Sequence, residues 1–348
     1  MVICSQNIHS GIYVARKRIN KHRGIIMKRK SFATILGLLV LMFIFAGCSD
    51  SGASNHAEGS EDGETNASGK QLKIGMSFQE MNNPYFISMN EAFQEAAKSV
   101  GAETIIADAQ HDVTKQINDI DDMIQQGIDI LIINPADSEG AQAAVQAAHD
   151  AGVIVVAVDA QAEGPLDSFV GSKNYDAGYL AGQQMAEDLG GEGKVAILDG
   201  IPVVPILERV EGFKDAISEH PGIEIVDIQN GRQDRAEAMS VTENMLQANS
   251  DLDAIFSVND EGALGSLGAV EASGKDVWIY SVDGHPEAVE AILSDGPFKA
   301  TTAQFPRDQV RVGLGIALAK YWGAEIVPDE IPIDVELLNK ENAEGFTW

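Results

Sequence analysis

From Leu72 to the end of the chain, short runs of aliphatic and β-branched residues alternate with longer amphipathic stretches. Short apolar runs between turn residues are typical of buried strands, whereas the longer stretches have the spacing of helices with one apolar face. The pattern predicts strands at residues 72–78, 103–109, 129–135, 153–159, 194–198, 223–228, 254–258, 277–282 and 299–303.

The stretches between these strands predict helices at residues 84–100, 111–126 and 139–151, and further helices that begin near Asn174, Pro205, Gln233, Asp260 and His285. Gly101, Gly127 and Gly152 each follow a predicted helix end, where a left-handed residue commonly caps a helix. The rhythm of strands and helices restarts after Gly171 and Ser172. The sequence therefore predicts an α/β fold of two doubly wound parallel-sheet lobes, with ligand contacts at the carboxyl ends of the strands.

The N-terminal residues show a different pattern. Lys28, Arg29 and Lys30 precede a largely apolar run, Phe32–Ala46, which is the arrangement of an export signal and is short for a membrane-spanning helix. The run leads into Phe45-Ala46-Gly47-Cys48, which resembles the lipobox of bacterial lipoproteins, although Phe45 stands where leucine is usual.

We therefore expect Met27 to be the true start, with residues 1–26 upstream of it, a signal peptide over residues 27–47, and a lipid on Cys48. Residues 48–70 are rich in Gly, Ser, Asn and Glu and are predicted to form a flexible tether. An uncleaved anchor is the alternative. Either way the body of the protein is expected outside the cytoplasm, at the extracellular face of the membrane or in the periplasm. Cys48 is then the single thiol, so no intramolecular disulfide is expected.

The chain is strongly acidic. Its formal charge is −29, and residues 71–348 contain 15 Lys and Arg against 48 Asp and Glu. Such a surface repels the phosphate backbone of nucleic acids, so nucleic-acid binding is not expected. The acidity indicates solubility or adaptation to high salt, and it does not by itself describe a ligand site.

The sequence shows no organised catalytic group. It has no G-x-S-x-G or H-E-x-x-H motif, and the five histidines after Cys48 lack metal-ligand spacing. Residues 190–195, GGEGKV, superficially resemble a phosphate-binding loop, but they precede a predicted strand and have no Ser or Thr after Lys194. We interpret them as a turn. The protein is therefore expected not to be an enzyme and to use no cofactor or metal.

Polar side chains follow five of the predicted strands, where an α/β sheet opens onto a crevice. They are Asn82 with Asn83, Asp159, Asn259 with Asp260 and Glu261, Asp283, and Gln304. Carboxylates and amides can bond two neighbouring hydroxyl groups at once, and an aromatic face can cover the C–H surface of a sugar ring. For any single residue the alternative is a helix N-cap, which Asn and Asp also favour. The recurrence at five strand ends predicts a site for a neutral polyol.

Six stretches resemble the type I periplasmic binding proteins, in their ribose-binding branch, in unbroken order from Leu72 to the C-terminus. They are MNNPYF (81–86), INPADS (133–138), ERVEGF (208–213), VNDEGALG (258–265), VDGHPEA (282–288) and TTAQFP (301–306). The resemblance implies a ligand held between two lobes that close like a hinge. It implies ligand contacts at Asn83, Tyr85, Phe86, Asp159, Arg209, Asn259, Asp283 and Gln304.

Two positions depart from the ribose-binding pattern. Ala160 stands where that branch usually has an arginine, and Gln233 stands where the ribose binder places a phenylalanine. The site thus loses one cation and one stacking face and gains an amide, so we also place Gln233 among the ligand contacts. Losing a bidentate donor weakens binding of a hydroxylated ligand unless another group replaces it. We therefore expect a ligand other than ribose.

The resemblance also implies three crossing segments, near Ser172 and Lys173, at residues 304–306 and at residues 332–334. It assigns residues 71–172 and 306–333 to the N-terminal lobe, and residues 173–305 and 334–348 to the C-terminal lobe.

Taken together, these patterns predict a monomeric, lipid-anchored solute-binding protein that captures a monosaccharide or related polyol and delivers it to an ABC permease in the membrane. A sensor that reports to a chemoreceptor or a histidine kinase is an alternative. The effector lobe of a transcriptional repressor shares the fold, but the export signal, the acidity and the lack of a helix-turn-helix motif argue against it. An enzyme on a similar scaffold is disfavoured by the missing catalytic motifs.

Overall fold

The computed structural model describes residues 70–348 of the chain. The predicted export signal, Cys48 and the predicted tether up to residue 69 lie outside these residues. None of the helices in the described range combines the length and the apolar character that a membrane span needs.

Strands and helices alternate through most of this range. The first elements are β1 (Lys73–Phe78), α1 (Pro84–Ser99), β2 (Glu103–Asp108), α2 (Val113–Gln125), β3 (Ile130–Ile133), α3 (Gln142–Asp150), β4 (Ile154–Val158) and β5 (Ser168–Ser172). The later elements are α4 (Asn174–Asp188), β6 (Glu192–Asp199), α5 (Val204–Ser218), β7 (Gly222–Asn230), α6 (Arg235–Ala248), β8 (Ala254–Ser257), α7 (Asp260–Ser273), β9 (Trp278–Asp283), α8 (Pro286–Leu293), β10 (Phe298–Ala303), α9 (Pro306–Tyr321), β11 (Glu330–Ile333) and β12 (Glu336–Asn339).

The strands form two six-stranded sheets. The first has the order β11-β5-β4-β3-β1-β2, and all of its neighbouring strands are parallel. The second has the order β12-β10-β9-β8-β6-β7, and it is parallel except for the antiparallel edge strand β12. Each sheet with its helices is called a lobe below. The predicted α/β fold of two doubly wound lobes is confirmed.

Helices cover both faces of each sheet, which explains why the central strands are apolar throughout. In β3, Ile130 and Ile132 pack toward α1 and α9, whereas Leu131 and Ile133 pack toward α2 and α3. All four residues are fully buried, because successive side chains of a strand point to opposite faces. In the second lobe, α4 and α5 cover one face, and α6, α7 and α8 cover the other.

The chain passes between the two sheets at three places. It leaves β5 at Ser172 and enters α4 at Asn174, and it leaves β10 at Ala303 and enters α9 at Pro306. The third passage joins β11 to β12 through Asp334 and Val335, while Pro332 is still part of β11. At the first passage, Lys173 Nζ and Asp334 lie 2.5 Å apart, so the first and third segments run side by side.

Local sequence signals account for most element ends. Gly101, Gly127 and Gly152 have φ angles of 68°, 76° and 79°, as predicted for left-handed helix caps. Gly190 and Gly191 also have positive φ angles and lie in a turn directly before β6, as predicted, whereas residues 192–195 of the predicted turn already belong to β6. Four elements, β5, α9, β11 and β12, are not predicted by the pattern of apolar and polar residues.

Candidate functional site

Polar side chains at the carboxyl ends of the two sheets surround one cavity between the lobes. The space is about 390 Å³, part of it open to solvent. Its lining includes all nine residues that the sequence analysis singled out, namely Asn83, Tyr85, Phe86, Asp159, Arg209, Gln233, Asn259, Asp283 and Gln304. Gln233 is half-buried, and the other eight are at most 9% exposed. A ligand therefore reaches these side chains when the lobes move apart.

Asn83 and Asn259 serve as helix caps and as cavity residues at the same time. Oδ1 of Asn83 accepts the N–H of Tyr85 at 2.9 Å, and Oδ1 of Asn259 accepts the N–H of Gly262 at 3.1 Å. Because each cap uses the carbonyl oxygen, it fixes the orientation of the amide. The amide nitrogen of Asn83 is then left as a donor for a ligand.

Asp159 is held by a hydrogen-bond network of the first lobe. Its Oδ1 accepts the Tyr85 hydroxyl at 2.9 Å, and its Oδ2 accepts Nδ2 of Asn134 at 3.0 Å. Gln309 of α9 donates in turn to the Tyr85 hydroxyl at 2.9 Å. Burial raises the pKa of Asp159, while the charge of Arg209 and the two hydrogen bonds oppose that rise. The network therefore positions a carboxylate in a desolvated cavity.

Arg209 provides the guanidinium of the site from α5. Its Nε donates to Oδ1 of Asn174 at 2.9 Å, and its Nη1 donates to the carbonyl of Val258 at 2.9 Å. Helix α4 approaches α5 very closely here, since a Cβ atom on Gly178 would lie 1.9 Å from the carbonyl oxygen of Arg209. The glycine thus permits the helix contact that brings Asn174 to the arginine.

Asp283 ends β9 and faces both the cavity and Arg209. Its Oδ1 accepts Nε2 of Gln304 at 2.7 Å and lies 3.4 Å from Nη1 of Arg209. Burial raises the pKa of Asp283 to about 6, although Arg209 and Gln304 favour the ionised form. A second buried carboxyl, Asp260, donates its backbone N–H to Oδ2 of Asp283 at 3.3 Å.

Backbone strain accumulates at the same cavity. Asp159, Gln233 and Asp283 have φ angles of 67°, 58° and 141°, which residues other than glycine rarely adopt. Such conformations persist where the surrounding structure enforces them, and they concentrate at functional sites. Here they aim three polar side chains at one space.

The cavity combines two carboxylates, one guanidinium, several amides and two aromatic rings. Within residues 70–348, no group of His, Cys, Asp or Glu has the arrangement of a metal site. Hydroxyl groups both donate and accept, so a hydroxyl-rich ligand can pair with the amide and guanidinium donors and with the carboxylate acceptors. Chemically, the arrangement is suited to holding a polar ligand.

Comparison with known proteins identifies the family of the chain. Residues 74–323 match the periplasmic binding protein domain, which is most of the described chain. The chain belongs to the periplasmic binding protein family.

Relatives within the periplasmic binding protein family are sugar- and polyol-binding proteins of ABC transporters. The ribose import binding protein RbsB of Bacillus subtilis is 40% identical over 239 residues, which cover 68% of this chain and 77% of that protein. A solute-binding protein of Actinobacillus succinogenes with bound D-allose is 31% identical, with a TM-score of 0.75 over 79% of this chain and 100% of that one. One of Bacillus halodurans with bound myo-inositol is 32% identical, with a TM-score of 0.74 over 79% and 96%.

These relatives confirm the resemblance to the ribose-binding branch of the type I periplasmic binding proteins. They are transport binding proteins and not enzymes, which supports the same broad class for this member of the family. The role of each cavity residue in ligand binding stays a prediction, as do the lipid on Cys48 and the monomeric state.

The structure adds cavity residues that the sequence analysis missed. They are Gln79, Val203, Pro205 and Ile206. Ala160, which replaces the arginine of the ribose-binding pattern, also lines the cavity. Gln79 directly follows β1, so the rule that selected polar residues after strands could also have selected it. Val203 and Ile206 form an aliphatic wall at the start of α5, and an apolar residue at a helix start carries no distinguishing signal in the sequence.

Proposed function

We propose that this periplasmic binding protein captures a neutral polyhydroxylated ligand, a monosaccharide or a related polyol, between its lobes and delivers it to an ABC importer. The observation that carries the proposal is the convergence of Asn83, Asp159, Arg209, Asn259 and Asp283 on one buried cavity from both sheets. Each lobe supplies part of the polar lining, so closure around the ligand completes the site.

The polarity of the cavity favours a neutral ligand. Arg209 already has a carboxylate neighbour in Asp283, so no cation in the lining is left to neutralise an anion. Sugar hydroxyls can use the carboxylates as acceptors without adding charge to a desolvated site. The relatives named above support a sugar or polyol and a transporter partner.

The departures from the ribose-binding pattern argue for a ligand other than ribose. Ala160 and Gln233 both line the cavity, so the loss of a cation and of a stacking face affects the ligand directly. Gln233 also accepts the N–H of Ile201 through Oε1 at 3.2 Å, which leaves its amide nitrogen as the donor side. A polyol that is less dependent on ring stacking suits this lining better than ribose does.

We also propose that the protein is exported and anchored to the membrane through a lipid on Cys48. An export signal before a lipidated Cys48 would hold the protein at the outer face of the cytoplasmic membrane, beside a permease. Durable attachment needs more than one acyl chain on that cysteine, because a single chain binds membranes reversibly.

A thermal-shift screen tests the ligand class. Pentoses, hexoses, inositols and sugar alcohols are compared with sugar phosphates and amino acids of similar size. At about 1,000-fold above its Kd, a ligand that binds only the native protein adds about 4 kcal/mol of stability. We therefore expect at least one neutral polyol to raise the Tm by several degrees, and the charged compounds to leave it unchanged.

Calorimetric titration then gives the affinity for the best polyol and for ribose. Micromolar or tighter binding of a neutral polyol is expected, with ribose weaker. Sub-micromolar ribose binding would contradict the proposal that the ligand is not ribose, but it would agree with the proposal that the ligand is a neutral polyol. A Tm shift with charged compounds alone would contradict the proposed function.

A further inference from the structure

Gln79 has a fixed backbone and, within residues 70–348, a side-chain carbonyl without a hydrogen-bond partner. Its N–H donates to Oδ1 of Asn134 at 3.2 Å, and its carbonyl accepts the N–H of His111 at 2.8 Å. The residue is 5% exposed and lines the cavity between the lobes. Its Oε1 is buried and has no hydrogen-bond partner in the described part of the chain.

Gln116 is a buried amide of the same lobe that has hydrogen-bond partners at both ends. Its Nε2 donates to Oγ of Ser77 at 3.0 Å and to the carbonyl of Asn134 at 2.9 Å. Its Oε1 accepts the N–H of Ala136 at 2.8 Å. Both ends of this amide are therefore paired within the protein, in contrast to Gln79.

A buried carbonyl without a partner destabilises the folded protein, because it loses its hydrogen bonds to water. An apolar residue of the same size would fill the position without that loss. The unpaired acceptor in the wall of a ligand cavity is thus explained if the ligand supplies the missing donor.

We propose that Gln79 contacts the ligand, and that its Oε1 accepts a hydrogen bond from one ligand hydroxyl and so determines which polyols bind. This inference rests on the proposed function and adds a specificity-determining residue to it.

Asn134 fixes the relation between Gln79 and the predicted ligand contact Asp159. Its Oδ1 accepts the N–H of Gln79, and its Nδ2 donates to Oδ2 of Asp159. Asn134 therefore fixes the backbone of Gln79 relative to the carboxylate of Asp159, which limits the arrangements that the two side-chain acceptors can take. A ligand must present two O–H groups that match this arrangement, so stereoisomers that differ at one of these hydroxyls are distinguished.

The test replaces Gln79 with methionine, which has nearly the same volume and no carbonyl. We expect Q79M to raise the Tm of the ligand-free protein by about 2 °C. The affinity for the tightest-binding polyol of the screen should fall about tenfold. The order of affinities across the polyols should change as well, because polyols that lack the matching hydroxyl lose nothing. The matched control Q116M should lower the Tm of the ligand-free protein, since it leaves three paired groups without partners.

The outcomes separate the inference from the proposed function. If the wild type binds a polyol and Q79M binds the same polyols with unchanged affinities, Gln79 is not a ligand contact. An equal loss for every polyol contradicts the specificity role, and a lowered Tm of ligand-free Q79M contradicts the unpaired state. A wild type that binds no polyol overturns the proposed function and this inference together.

Discussion

Replacing Arg209 with methionine is expected to abolish ligand binding and to lower the free energy of unfolding by about 3–5 kcal/mol. Arg209 is 4% exposed, and its guanidinium bonds Asn174, the carbonyl of Val258 and Asp283. Methionine leaves those groups without their donor and leaves the carboxylate of Asp283 buried without its cation. The contacts therefore predict that the variant loses stability as well as ligand binding.

Two further variants separate the effects. R209K keeps the positive charge near Asp283 but cannot reproduce the planar fork, so it should fold and bind at least tenfold more weakly. R307M is the matched control, because Arg307 pairs with Glu91 and Glu95 on the surface of α1, away from the cavity. R307M should lower the free energy of unfolding by no more than about 1 kcal/mol and leave the ligand affinity unchanged.

Chemical denaturation gives the stabilities and calorimetric titration gives the affinities. R209K with wild-type affinity would show that Arg209 does not touch the ligand. R209M with wild-type stability would show that its internal hydrogen bonds contribute little.

The buried carboxyl pair should make the ligand-free protein more stable at pH 5 than at pH 8. Burial, and then the charge of Asp283, raise the pKa of Asp260 to about 8, although Ser281, Thr301 and the N–H of His285 donate to it. In the unfolded chain the same carboxyl has a pKa near 3.9, so between about pH 4 and pH 8 the folded state binds the extra proton. Stability contributed by this group is therefore lost as the pH rises through that window, by at most about 1.4 kcal/mol per pH unit.

Ligand affinity should follow pH in the opposite direction. The pKa of Asp283 is about 6, and the ionised carboxylate is the form that accepts ligand hydroxyls most strongly. As the pH falls below 6, this carboxylate takes up a proton and the affinity should decrease, by up to about tenfold per pH unit. The ligand-free protein is thus expected to be more stable at pH 5 than at pH 8, whereas ligand binding should be stronger at neutral pH than at pH 5.

Thermal melts from pH 5 to pH 8 on the wild type and on D260N measure the first effect. The variant cannot titrate at this position, so its Tm should depend less on pH than that of the wild type. Parallel slopes for the two proteins would mean that Asp260 is ionised throughout. Calorimetric titration at pH 5 and pH 7.5 measures the second effect, and equal affinities would show that protonation of Asp283 does not affect the ligand.

The sequence predicted the sheets and the site for the same physical reason. Apolar runs such as residues 130–133 are buried on both faces and can hardly be anything but central strands, and the polar residue after such a strand lies at the sheet edge. Asp159 and Asp283 were found in this way. The inner strand β5 and the edge strand β11 were not predicted because both are short and mix apolar with other residues: β5 reads SFVGS and β11 reads EIPI.

What the sequence could not supply depends on contacts between distant segments. The ring of Trp348 lies edge-on to that of Tyr85, with 5.7 Å between the ring centroids, and its indole N–H donates to the carbonyl of Asp283. Trp348 therefore contacts both lobes. The coupling of Asp260 to Asp283 and the unpaired amide of Gln79 also arise from tertiary packing. The sequence pattern predicts which side chains lie at the edge of a sheet. It does not predict which of them are hydrogen-bonded or paired with a charge there.

A crystal structure of the protein with the neutral polyol that gives the largest thermal shift tests whether the ligand binds between the lobes. The polyol should lie between the lobes and bond Arg209, Asp283 and Asn83, with both lobes contributing to its contacts. A polyol bound elsewhere on the surface, or contacted by one lobe alone while these side chains face away from it, would overturn the proposed ligand site.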